Sequence, residues 1–290
     1  SANADNGSSS VYALEASDGT QLWQKTATTF TSVPLVVNEI AYLLSDQELS
    51  ALSARNGQLL WRVPIEGSSG LPPQVIDGVL YLATTTISLE DSGNPISQGN
   101  MIPQVGTIVN LLQGFVQRVF VKQTVPLKRG ISSVYAVRIS DGAVLWHYTL
   151  NKENGNNWAN WLTIEDSTVY IGTYVDRDKS YIYALQRANG SLLWRQAMDK
   201  GMSVNAFATK GAIYNASFIN DGSVNAGSGA VYAIRGSDGS RLWYRSMYWV
   251  VYEPPMLVES TIFVSTAGGD VYAFQASNGS LLWHFHIYVQ

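Results

Sequence analysis

Cysteine is missing from this 290-residue chain, and charge is scarce, at 14% of residues. Without thiols there is no disulfide framework, no cysteine-based zinc site and no thiol nucleophile. The 18 Lys and Arg stand against 22 Asp and Glu, so the net charge is −4 and the basic stripe that nucleic-acid binding requires is absent. No apolar run reaches the ~18 residues of a membrane-spanning helix. Phosphate loops, zinc-helix motifs and nucleophile elbows are absent as well.

What the chain has is repetition. Residues 11–23, 49–61, 134–146, 182–194, 231–243 and 271–283 carry nearly the same line, and each copy ends in Leu-Trp. Each alternates small or apolar residues with polar ones, turns at an Asx-Gly pair such as Asp18-Gly19 or Asn278-Gly279, and runs into a second strand. Asx-Gly between alternating runs is a strong hairpin signal, because both residues tolerate positive φ. Upstream of five copies lies a further strand pair, at residues 34–43, 73–82, 162–171, 204–214 and 256–264. The unit is four antiparallel strands, A to D, at the period of a β-propeller blade.

The fold expected is all-β: a propeller of five full blades plus an N-terminal half blade. It forms a six-bladed ring, closed or open at the half blade. Trp23, Trp61, Trp146, Trp194, Trp243 and Trp283 are its structural docking residues. A buried indole removes ~150–250 Å² from water and contributes a few kcal/mol at each blade junction. Residues 1–10 read as a tag or linker remnant and 11–290 as one domain, either an open ring or a fragment of a longer chain. Successive tryptophans lie 38, 85, 48, 49 and 40 residues apart. The gap of 85 holds an insertion at about residues 86–130, within the second full blade.

The pattern Ala-x-x-Ala/Ser-x-Asp/Asn-Gly-x-x-Leu-Trp resembles the tryptophan-docking repeat of pyrroloquinoline-quinone-type propellers. That family contains quinoprotein alcohol dehydrogenases and non-catalytic relatives, such as the lipoprotein scaffold of the bacterial outer-membrane barrel-assembly machine. The resemblance covers most of residues 11–285 and implies an extracytoplasmic, bacterial or archaeal protein. Its dehydrogenases hold the quinone between a Trp and an adjacent Cys pair, beside an Asp base and a calcium ion. This chain lacks the Cys pair. Asp176, Glu153 and Asn205 are the residues available to such a site, and nothing in the repeat assigns them to it.

Function must sit where the copies differ. Chain order puts the D–A and B–C loops on one face, where all the irregular sequence falls, and the short turns on the other. The loop face carries Trp158, Trp161, Tyr174, Asp176, Asp178, Tyr248, Trp249 and Tyr252, which are candidates for a binding surface or for a plug of the channel. Asp176-Arg-Asp178 lacks the Gly and terminal Glu of a calcium loop and reads as a solvated turn. In the insertion, apolar residues recur at helical spacing over about 101–121, including Phe115 and Phe120. This amphipathic helix packs over the ring, or offers a ridge to a partner or to a membrane surface. His147 and His284 fill a polar slot after the repeat tryptophans, and His286 lies two residues on, so all three read as surface residues.

The reading is a non-enzymatic binding or scaffold propeller without a cofactor: an envelope scaffold or a sensor ectodomain. It recognises a protein or small ligand through its loop face and insertion, and self-associates at the open blade edge. The alternative is a dehydrogenase relative that uses pyrroloquinoline quinone and calcium.

Overall fold

Two kinds of tight turn organise the chain, and they use different chemistry. Between strands A and B, Asn38-Glu39, Asp77-Gly78 and Lys210-Gly211 take positive φ at both positions, from 51° to 76°. These are the two-residue turns whose twist matches a hairpin. Between strands C and D only the glycine is left-handed, at φ from 67° to 76° in all six copies. There the Asx side-chain oxygen accepts the backbone N–H two residues on, as in Thr20 to Asp18 at 2.9 Å and Ser240 to Asp238 at 2.8 Å. Past each of these turns the register slips once, between Ala13 and Leu14 and at the matching step of the other copies, a bulge repeated six times.

The computed structural model describes residues 2–3, 9–30, 32–45, 48–90, 127–150, 157–176, 179–198, 202–219, 228–251 and 253–287. Six antiparallel sheets follow in chain order. The first holds β1 (Ala2–Asn3), β2 (Ser9–Leu14) and β3 (Gln21–Ala27). The second holds β4 (Leu35–Val37), β5 (Ile40–Leu44), β6 (Glu48–Ser53) and β7 (Leu59–Pro64). The third is β8 (Gln74–Ile76), β9 (Val79–Glu90), β10 (Leu127–Arg138) and β11 (Val144–Thr149). The fourth is β12 (Trp158–Glu165), β13 (Thr168–Asp176), β14 (Lys179–Gln186) and β15 (Leu192–Met198). The fifth is β16 (Met202–Thr209), β17 (Ala212–Ile219), β18 (Ser228–Arg235) and β19 (Arg241–Met247). The last is β20 (Met256–Val258), β21 (Thr261–Ser265), β22 (Asp270–Gln275) and β23 (Leu281–His286). These are the blades of a β-propeller, five of four strands and one shorter.

The apolar core is divided in the same way. Five clusters of buried side chains each join one sheet to the next, as where Tyr214, Val231 and Trp243 meet Ile262, Val264 and Phe274. Two details refine the domain reading. Ala2 and Asn3, in the segment expected to be linker, pair with Ser10 and Ser9. Thr86 to Glu90 and Leu127 to Gly130, assigned to the insertion, continue the β9–β10 ladder, which runs unbroken over twelve rows. The helix expected at about 101–121 lies outside the described residues.

Candidate binding surface

The blades must be rigid before their loops can present anything, and the repeat tryptophans supply that rigidity. Trp23, Trp61, Trp146, Trp194 and Trp243 each donate Nε1–H to a carbonyl in the C–D turn of the following sheet, at 2.7–2.8 Å. The acceptors are Ala54, Ile139, Arg187, Gly236 and Ala276. Each indole also lies on the turn glycine of that sheet, so close that a Cβ on Gly57, Gly142, Gly190, Gly239 or Gly279 would stand 2.6–2.8 Å from ring atoms. A residue that the sequence reading left unassigned completes the joint. Tyr42, Tyr81, Tyr170 and Tyr214 on the B strands lean against the Trp of their own sheet, ring centroids 5.9–6.1 Å apart. Burial pushes all four phenols above the usual tyrosine value. The aromatic three or fewer residues after each A–B turn was the available signal.

On the loop face the aromatic candidates divide into groups. Trp158 and Tyr174 are cross-strand partners at the loop ends of β12 and β13, and the Trp158 indole rests over Gly130. Trp161 is 2% exposed, set against Gly172 and packed with Tyr170, Met198 and Tyr232. It belongs to the core between the fourth and fifth sheets, which removes it from the surface. Trp249 lies on Gly268, and the Ala267 N–H donates to the Val250 carbonyl at 2.8 Å, which ties the β19–β20 connection to the β21–β22 loop. Tyr248, held edge-on to Trp249 at 5.4 Å, is 78% exposed. The backbone of Asp176 pairs with Lys179 at the end of β13. Asp178, Tyr252, Phe115 and Phe120 lie outside the described residues.

Polar stitches hold this face from beneath. Thr85 and Ser132 hydroxyls meet at 2.7 Å, Ser132 Oγ accepts the Ala159 N–H at 2.8 Å, and Asn157 Nδ2 donates to the Tyr183 hydroxyl at 3.1 Å. The first lies within the third sheet, the second joins that sheet to β12, and the third ties the residue before β12 to β14, so together they position Trp158. On the turn face, Arg187 spans two sheets to meet the Asp77 carboxylate at 2.8 Å, beside an open depression of about 650 Å³ that includes Tyr81 and Asp166.

The histidines are better partnered than their sequence positions suggested. His147 stacks on Tyr135 and His284 on Tyr272, each with centroids 4.4 Å apart. His284 Nε2 and His286 Nδ1 both stand 2.8 Å from Asp270 Oδ1. Those bonds, from His284 first and then His286, hold the Asp270 carboxyl below the usual value. The cross-strand register of β22 and β23, in which Asp270 faces His286, is what brings the three together. Among the described residues no three His, Asp or Glu side chains stand in an arrangement that holds a metal ion.

Among the described residues, the quinone and calcium of the dehydrogenases find no matching set. The chain has no cysteine. Trp161 is locked in an inter-sheet core, and Asn205 turns its amide oxygen to the adjacent Ala206 N–H at 3.1 Å. Glu153 lies outside the described residues, and the described residues do not fit that group.

Indole-docked blades and a rigid, aromatic loop face define a propeller of the pyrroloquinoline-quinone repeat class. More narrowly, the chain belongs to the family of outer membrane protein assembly factor BamB, whose family model matches residues 4–176 and 178–287. A relative of that description in Moranella endobia (strain PCIT) is 22% identical over 275 residues, which span 89% of this chain and 68% of the relative. The crystal structure of BamB from Moraxella catarrhalis matches at TM-score 0.55 and 17% identity, over 96% of this chain and 70% of that one. A europium-containing methanol dehydrogenase matches at TM-score 0.61 and 13% identity, over 96% and 66%. At these identities the two structures bear on fold alone, and enzyme and scaffold share it.

Proposed function

We propose that the chain is a non-enzymatic scaffold propeller that binds another protein through its loop face, in an extracytoplasmic compartment. The observation that carries the reading is the Tyr248–Trp249 pair: an aromatic ring 78% exposed, on a connection locked to the neighbouring blade. Exposed Tyr and Trp on rigid supports are the usual anchors of protein interfaces, since little side-chain entropy is lost on docking. Trp158 and Tyr174 extend the same face. The family's non-catalytic members, named as outer membrane assembly factors, agree with this use. In this reading the insertion between β9 and β10, with Phe115 and Phe120, is a second contact for a protein or a membrane surface. Self-association at the open blade edge belongs to the same reading.

A photo-crosslinker placed at Tyr248, and separately at Gln58 on the turn face, tests the proposal in cells. Tyr248 should give one discrete adduct and Gln58 none. Equal labelling from both positions, or none from Tyr248, overturns it. Titration with pyrroloquinoline quinone and calcium, followed by dye-linked alcohol oxidation, tests the alternative. Saturable uptake with turnover would replace the scaffold reading by the enzyme.

A further inference from the structure

Three of the six C–D turns pair asparagine with glycine: Asn56-Gly57, Asn189-Gly190 and Asn278-Gly279. Asparagine is thermolabile, and this dipeptide is its least hindered setting, because glycine puts no side chain beside the main-chain nitrogen that attacks it. In the reaction the Gly57 nitrogen gives up its proton and closes a C–N bond to Asn56 Cγ. The Cγ–Nδ2 bond breaks, and ammonia leaves with the proton. Water then opens one of the two carbonyls of the five-membered imide. One opening gives aspartate, and the other gives isoaspartate, whose main chain runs through the former side-chain carbonyl.

All three asparagines are exposed, so water and base reach them. The groups that the ring must recruit are nevertheless occupied. Gly57, Gly190 and Gly279 donate their N–H to the carbonyls of Ser53, Gln186 and Gln275 at 2.7–2.8 Å. The Asn Oδ1 atoms accept the N–H of Gln58, Ser191 and Ser280 at 2.9–3.1 Å. Closing the ring swings the Asn-Gly peptide plane toward Cγ, which breaks both bonds and moves the glycine from its φ of 67–72°. That movement is opposed from the neighbouring blade, since Trp23, Trp146 and Trp243 lie on these same three glycines. The other turns show which product the joint accepts. Asp18, Asp141 and Asp238 accept the N–H of Thr20, Ala143 and Ser240 at 2.8–3.1 Å, and their glycines donate as the others do, at 2.9 Å. Aspartate is thus already a native residue of this turn. Isoaspartate lengthens the main chain by one methylene, and a turn closed by two hydrogen bonds beneath an indole has no slack for it.

We infer that Asn56, Asn189 and Asn278 are latent deamidation sites whose reaction waits for the joint beneath the indole to open, and that the closed joint accepts only the aspartate product. The inference rests on the hairpins alone and is independent of loop-face binding.

Peptide mapping by mass spectrometry tests it, after the folded chain and the guanidinium-unfolded chain are stored in one mildly alkaline buffer. Each of the three sites should react at least about tenfold more slowly in the folded chain, the ratio that corresponds to an opening cost above about 1.4 kcal/mol. Trp146→Ala bares the Gly190 turn, so it should speed Asn189 and leave Asn56 and Asn278 at the parent rate. Trp146→Phe, which drops the bond to the Arg187 carbonyl and part of the ring, serves if circular dichroism shows the first variant unfolded. Asn189→Asp should keep the parent urea midpoint, and in partly reacted protein limited proteolysis should cut the isoaspartyl species first. Equal rates in folded and unfolded chains overturn the inference. So does a folded Trp146 variant that leaves the Asn189 rate unchanged or speeds all three sites alike. A lowered midpoint for Asn189→Asp, or equal cutting of the two products, overturns the claim about the product.

Discussion

At Ala276 one main-chain carbonyl receives Trp243 Nε1 at 2.7 Å and the Tyr214 hydroxyl at 3.4 Å, both from the preceding sheet. Gly236 receives Trp194 and Tyr170 in the same way. A carbonyl has two lone pairs, so this pairing leaves neither the acceptor nor the buried donors unsatisfied. Three residues further on, a glycine meets two demands at once, a left-handed φ and a face flat enough for an indole. The demands separate cleanly, because Gly19 has the φ of +76° without the indole and Gly239 has +74° with Trp194 at 2.7 Å. Gly19→Ala should cost about 1 kcal/mol from backbone strain alone. Gly239→Ala should cost about 2–4 kcal/mol, since the ring must also give way. Urea midpoints at constant m-value measure both, and equal losses would refute the docking role of that glycine.

The hairpin is the scale at which the repeat was legible. Alternation, the Asx-Gly turn and the terminal Trp together place strands C and D in each copy, because period-2 burial and one mandatory glycine leave few alternatives. Less legible were the contacts that depend on register. Asp270 and His286 are sixteen residues apart in sequence and become neighbours only once the bulge after Ala273 is counted. The same slot holds the Ser10–Thr26 hydroxyl pair in the first blade, so the last hairpin substitutes a charged cluster for a neutral one. On the loop face, Trp158 and Trp161 are three residues apart, which plain alternation sets on opposite faces. The register shift between Ala159 and Trp161 instead pairs them with Tyr174 and Gly172 on one face, and Trp161, further from the loop end, is in the core. Asp270 has a folded-state pKa below its usual value of 3.8. Its stabilising effect is thus fully present above that value and disappears as pH falls through the lower, folded one. Urea midpoints should drop as pH is lowered below 3.8, and Asp270→Asn should make that drop shallower. An identical acid profile in the variant would mean that the cluster contributes nothing to folding.

Across the whole molecule, stability is shared between neighbours only. The second, third, fourth and fifth sheets are clamped on both sides, whereas among the described residues the first and last have one junction each. Local opening follows buried contact, so native-state hydrogen exchange should be slowest in β13 and β14 and fastest in β2 and β23. Uniform protection across all six sheets would show a single cooperative unit instead. The same locality bears on how such a chain can change. Since every joint repeats one lock and one key, a tandem duplication of a gene segment that spans one period inserts a module already matched to both neighbours. The arc lengthens without any existing contact being redesigned, and the variable loops are free to diverge afterwards.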